Sequence, residues 1–217
     1  MTSKSNLAVS LSLLMTLLYA CSGDDSARTE ATQTAAAEAA ALQAPLSPTI
    51  GKLAMTAPDH LLLDNNLRLA LPAPGDTSRV TFFIVRPAES REEKTSLSNM
   101  GLARAGYLAN LMGKVQLAQV FVEGNAAMQT GLFSAQENKV ELNLFKSTEL
   151  DPFLDMILGN FRGKRVLVVA TPETLPALLN KLAGNIVESR MPQDAYDHLY
   201  LVEARRVGSV DITHLSY

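Results

Sequence analysis

Arg79-Val-Thr-Phe-Phe-Ile-Val85 and Arg165-Val-Leu-Val-Val-Ala170 are runs of β-branched, aromatic and aliphatic residues without alternation. A strand with one wet face alternates apolar and polar side chains, so such runs belong to strands buried on both faces. Between and after them the period changes repeatedly. Leu102, Ala105, Leu108, Ala109 and Met112 recur at helical spacing, Leu117 to Val122 reads as a strand, Ala126 to Phe133 as a helix and Val140 to Phe145 as a strand. Asp151-Pro152 predicts a helix start, with Asp as the cap and Phe153, Ile157 and Phe161 on one side; Thr174 predicts another, running to Gly184. Leu199 to Ala204 and Val207 to Ile212 read as closing strands. This alternation predicts an α/β fold, a three-layer sandwich with a mostly parallel central sheet and helices on both faces. In such sheets ligands bind at the carboxyl ends of the strands, which directs attention to the residues after Val85, Val122 and Ala170.

The segments ahead of this core have other characters. Residues Leu7 to Ala20, following Lys4, form an apolar run too short to span a bilayer and placed like a secretory signal. The run ends in Leu18-Tyr19-Ala20-Cys21, which resembles the lipobox of bacterial lipoprotein precursors. That resemblance implies removal of residues 1–20 as a signal peptide and lipidation of Cys21, the only cysteine. Several acyl chains at one terminus anchor stably, whereas one barely holds. The expected location is the bacterial cell envelope, with the domain facing the periplasm. Ser22 after the cysteine favours the outer membrane by the usual lipoprotein sorting rule. Residues 21–45 are rich in Ala, Thr, Gln and acids and cannot bury a core, so they read as a flexible tether. Residues 46–78 are an N-terminal extension, with Asp64-Asn65-Asn66 as a candidate hairpin turn between two leucine-rich pieces. Residues 79–217 form the domain proper.

Four motifs occur in order in that domain: Arg86-Pro87-Ala88-Glu89, a helix start from Leu97 to Ala105, Val169 to Pro176, and Tyr196-Asp197-His198-Leu199. Together they resemble the histidine phosphatase, or phosphoglycerate mutase-like, superfamily. Arg86-Pro87-Ala88-Glu89 stands where the family has Arg-His-Gly or Arg-His-Ala-Glu. Leu97-Ser98-Asn99-Met100-Gly101-Leu102-Ala103-Arg104-Ala105 is similar to the family's Leu-Ser-x-x-Gly-x-x-Arg-Ala. Val169-Ala170-Thr171-Pro172-Glu173-Thr174-Leu175-Pro176 resembles one branch's Val-Gly-His-Ser-Asn-Thr-Val-Pro, and Tyr196-Asp197-His198-Leu199 its Tyr-Asp-x-Leu. The resemblance implies a phosphohistidine mechanism in which the first histidine attacks phosphorus, two arginines and a second histidine hold the phosphoryl oxygens, and a carboxylic acid protonates the leaving group.

This chain departs from that pattern where the chemistry lies. The nucleophile position is Pro87, which carries neither a nucleophile nor a backbone N–H. The second histidine position is Thr171. With Gln129-Thr130 aligned to the family's Gln-Thr, the second arginine position is Ala126. Arg86 remains, so a residual pocket would comprise Arg86, Glu89, Thr171 and Glu173. Arg86 also has a plain structural reading, an ion pair with Glu89 or Glu173. His60, His198 and His214 are scattered, no metal-ligand spacing or glycine-rich phosphate loop is present, and no cofactor is implied. A net charge of −3 argues against nucleic acid as a partner.

The expectation is therefore a membrane-anchored lipoprotein with a catalytically silent histidine phosphatase-like domain, a pseudoenzyme that binds a protein or a small anionic ligand or serves as a scaffold. Two alternatives stand beside it. One is a phosphatase or phosphomutase acting on a phosphate ester through a rearranged set, Arg86 with Glu89 or Glu173. The other is an envelope structural factor that makes no use of the pocket.

Overall fold

The computed structural model describes residues 48–73, 75–91, 96–192 and 194–217, so the signal segment, Cys21 and the tether at 21–45 lie outside the described residues. The described chain opens with a small antiparallel sheet of β1 (Leu53–Thr56), β2 (His60–Leu63) and β3 (Arg68–Ala70). Its second turn is the hairpin expected at Asp64-Asn65-Asn66. Asn66 takes a φ of 65°, a conformation asparagine tolerates, and the Leu67 N–H donates to Asn65 Oδ1 at 3.0 Å. β1 is an addition to the sequence reading: Leu53 and Thr56 are buried, but the strand is too short to show a period.

The remaining strands form one sheet with the order β6-β5-β7-β4-β8-β9. They are β4 (Val80–Val85), β5 (Gln119–Val122), β6 (Leu142–Leu144), β7 (Arg165–Val169), β8 (His198–Arg206) and β9 (Ser209–Ser216). β6, β5, β7 and β4 run parallel, and β8 and β9 add an antiparallel edge. All six residues of β4 and all five of β7 are buried, as runs without alternation require.

Helices cover both faces, which gives the three layers. Helices α1 (Asn99–Met112) and α2 (Gly124–Asn138) lie on one side, and Leu108, Met112, Ala127 and Ala135 pack there with Phe83, Val85, Val122 and Val169. Leu53, Leu61 and Leu63 of the small sheet join the same cluster, so the N-terminal extension contributes to the core. Helices α3 (Leu150–Asn160) and α4 (Thr174–Ala183) cover the other side, where Phe153, Ile157, Leu178 and Leu182 meet Phe82, Ile84 and Phe121. Two helix starts differ from expectation. Helix α3 begins one residue before Asp151, which lies in the first turn and pairs with Lys181 at 2.6 Å. Thr174 is the first residue of α4 rather than its cap, and its hydroxyl is directed elsewhere. Arg165, 6% exposed, joins two remote loops by donating to the carbonyls of Val115 at 2.7 Å and Pro72 at 2.9 Å. Among the described residues no helix is long and apolar enough to cross a membrane.

Candidate functional site

Alternation along the strands determines which side chains reach the carboxyl end of the sheet. Phe82 and Ile84 face α3 and α4, so Arg86 continues on that side; Phe121 does the same, so Glu123 follows it. β5, β7 and β4 are neighbours, with Val122 opposite Val169 and Val169 opposite Val85. Glu123, Thr171 and Arg86 therefore leave three adjacent strands at the same end. β8 runs the other way, so its first residues, preceded by Tyr196 and Asp197, lie at that same end of the sheet.

Arg86 is 6% exposed. Its Nη1 donates to the Pro192 carbonyl at 2.8 Å, and its Cζ lies 4.0 Å from the centre of the Tyr196 ring, a cation–π contact. Burial lowers the guanidinium pKa, while Tyr196 and the carboxylates of Glu173, Glu89 and Asp194 act in the opposite direction. Arg86 thus meets the Pro192 carbonyl and the Tyr196 ring directly, and Glu173 and Glu89 act on it through their charge. Glu89 is held instead by Arg104, whose Nε donates to Glu89 Oε1 and Oε2 at 2.9 and 3.0 Å and whose Nη2 donates to Oε1 at 2.6 Å. This fork matches the two carboxylate oxygens, a geometry arginine supplies and lysine does not. Burial pushes the Glu89 carboxyl up, but its bonds to Arg104 hold it below the ordinary glutamate range. Glu173 is exposed and lines an open cleft of about 500 Å³ with Pro176, Asn180 and Arg190.

Pro87 is buried, and the residues after it are fixed from α2. The Ala88 N–H donates to Thr130 Oγ1 at 3.0 Å, Thr130 in turn donates to the Ala126 carbonyl at 2.9 Å, and the Leu97 N–H donates to Gln129 Oε1 at 3.0 Å. Ala126 packs beside Ala88, Leu97 and Ala105. The structure thus brings Pro87, Ala126, Gln129 and Thr130 together around one loop, with a methyl group at position 126. Helix α1 completes the enclosure: Ser98 accepts from the Gly101 N–H at 3.0 Å, and the Ser98 N–H donates to the Glu89 carbonyl at 2.8 Å.

Thr171 is not an open donor. Its N–H donates to Glu123 Oε2 at 3.0 Å, the Thr174 hydroxyl donates to Glu123 Oε1 at 2.9 Å, and the two threonine hydroxyls are 3.2 Å apart. A carboxylate there lies at the start of α4, where the helix favours negative charge. Glu123, Thr174, Tyr196 and Arg104 are the residues that sequence reasoning left out of the site. The signal for Glu123 was an acid immediately after a buried strand, at the end where such sheets bind ligands.

His198 and His214 lie together, apart from His60. His198 Nδ1 and His214 Nε2 are 3.1 Å apart, and the His214 ring stacks on Tyr200 with centres 4.3 Å apart. Burial lowers the His198 pKa; Arg86 acts the same way, while Asp197 and Asp194 oppose it. The Tyr200 hydroxyl donates to Glu188 at 2.9 Å, at the wall of a second cleft of about 360 Å³ formed with Ile50, Val187 and Ile212. Neither cleft is lined by Arg86, Pro87 or Thr171. His60 lies in the small sheet against Asp59 and Arg68.

The sequence matches no protein-family model and no curated protein. Solved structures do share the fold. A candidate alpha-ribazole-5'-P phosphatase from Escherichia coli K-12 superposes with a TM-score of 0.52 at 13% identity, over 64% of this chain and 96% of that one. YhfR from Bacillus stearothermophilus gives a TM-score of 0.50 at 13% identity, over 61% of this chain and 98% of its own. Mycobacterial hydrolase 1 gives 0.50 at 11% identity, over 64% and 99%. At these identities the likeness shows the fold, a phosphoglycerate mutase-like α/β sandwich.

Proposed function

We propose that this chain is a lipid-anchored envelope protein whose phosphoglycerate mutase-like domain is catalytically silent and acts as a binding or scaffold module. The observation that carries the reading is the residue at the end of β4. Covalent phosphoryl transfer needs a nucleophile with a lone pair there, and Pro87 has none. The surroundings point the same way. A transferring phosphoryl group must be met by several cationic donors, whereas Arg86 is engaged by Pro192 and Tyr196, and positions 126 and 171 carry neutral side chains. A dianion brought to these strand ends would keep much of its desolvation cost, several kcal/mol per ion.

The test is turnover of p-nitrophenyl phosphate and of a panel of phosphate monoesters across pH. The purified protein is expected to release no more phosphate than its Arg86→Ala variant. Robust turnover that Arg86→Ala abolishes would overturn the reading.

Anchoring has its own test. The precursor is expected to partition with membranes and its Cys21→Ser variant with the soluble fraction, because one thioether-linked lipid site supplies the whole attachment. A Cys21→Ser variant still held in the membrane fraction would remove the lipoprotein part of the reading and leave the silent domain untouched.

A further inference from the structure

The cleft of about 360 Å³ is bounded by Tyr200 of β8, Ile212 and His214 of β9 and Leu179 of α4. Its volume falls at the lower end of the range for small-molecule sites, about 300–1,000 Å³. Hydrogen bonds hold its other walls in place. Asn180, the residue after Leu179, accepts the N–H groups of Val187 and Glu188 on Oδ1 at 2.8 and 2.9 Å and donates to the Glu188 carbonyl at 2.7 Å. Ile50 is fixed from two sides. Its N–H donates to the His214 carbonyl and its carbonyl accepts from Asn65 Nδ2, both at 3.0 Å.

The charge of the lining has one sign. Among the residues that line this cleft, Glu188 is the one acid and no Lys or Arg is present. Glu188 is 2% exposed, and its carboxylate accepts the Tyr200 hydroxyl at 2.9 Å. Burial pushes the Tyr200 phenol up and the Glu188 charge acts in the same direction, so the phenol keeps its proton and stays a donor. The His214 ring, stacked on Tyr200 at 8° between planes, braces it. An ionised carboxylate offers about four acceptor sites, so the Tyr200 bond leaves room for a donor from a guest. Apolar surroundings strengthen its attraction for a cation and its repulsion of an anion. We infer that this cleft is a binding site for a small organic cation, an amine with an apolar body, whose ammonium group meets the Glu188 carboxylate while the body lies against Leu179, Val187 and Ile212. None of Arg86, Pro87 and Thr171 lines the cleft, so amine binding here is independent of what phosphate esters do at the strand ends.

Butylamine, cyclohexylmethylamine and phenethylamine are the probes, each set against the alcohol and the carboxylic acid with the same body. The full-length protein is titrated with each and followed by amide chemical shifts. At least one amine is expected to bind with a millimolar or tighter dissociation constant and to move the amides of Val187, Glu188 and Thr213. The matching acid is expected to bind at least about tenfold more weakly. Glu188→Gln keeps the size of the side chain and an acceptor for Tyr200, and is expected to weaken the amine about tenfold or more through loss of a charge-assisted bond. Ile50→Trp is expected to abolish binding by filling the cleft. Ile50 is 42% exposed, so this variant spares the core and reads occupancy even if Glu188→Gln unfolds. Failure of all three amines to bind, an acid or alcohol that binds as tightly as its amine, or amine binding that survives both substitutions would overturn the inference.

Discussion

Replacing Gly101 by alanine is expected to destabilise the domain by about 2 kcal/mol or more, although alanine is the better helix former. Inside a helix this exchange ordinarily gains about 1 kcal/mol, because glycine loses more backbone freedom on folding. Gly101 is not an ordinary helical position. A Cβ there would fall inside the van der Waals shell of the Glu89 carbonyl oxygen, with the Glu89 amide nitrogen and carbonyl carbon close behind. All of these are backbone atoms, so no rotamer change relieves the contact. The loop cannot retreat easily either, since the Ser98 N–H and Arg104 both hold Glu89. Steric conflict therefore outweighs helix propensity. Urea unfolding followed by circular dichroism measures the outcome, and a midpoint equal to or above that of the wild type would show that the loop adjusts freely.

Phe121→Ala is expected to cost about 3–5 kcal/mol, the range for deleting a buried aromatic ring. The ring is 3% exposed and meets Phe153 and Phe161 edge-on, with centres 5.3 and 5.6 Å away. Such pairs contribute about 0.5–1.5 kcal/mol each beyond the area they bury. Phe153 in turn stacks on Phe145, so the vacancy opens in the middle of an aromatic chain that fixes α3 to the sheet. Loss of the ring also loosens the strand that presents Glu123. The same urea titration reads it, and a loss below about 1 kcal/mol would mean that α3 collapses into the space.

Much of the fold was legible because buried strands leave an unmistakable record. The uninterrupted, β-branched runs before Arg86 and Thr171 read as strands covered on both faces, and Leu175, Leu178, Leu179 and Leu182 are among the buried positions of α4. Short elements left weaker records: β1 has four residues and β6 three, fewer than a period needs to establish itself. The position after β4 could be read because proline excludes a nucleophile whatever surrounds it. The partners of Arg86 could not, since Pro192 lies 106 residues away and the contact is to its backbone carbonyl. Glu123 was missed for a related reason. An acid after a strand is usually solvated, and only the offset of two parallel strands reveals that its oxygens meet Thr171 and Thr174.

The segment leading into the domain also acts as a sheath. The Ile50 N–H donates to the His214 carbonyl at 3.0 Å and the Ser216 N–H to the Gly51 carbonyl at 3.1 Å, with Lys52 bridged in parallel to Ser216. These bonds occupy the outer edge of the final strand at its last residues, where bare amides and carbonyls would serve as a template for a stranger's backbone. Trimming the protein back to Leu53 uncovers those groups and invites sheet-to-sheet adhesion between copies. The stretch just ahead of β1 thus guards the folded body against clumping.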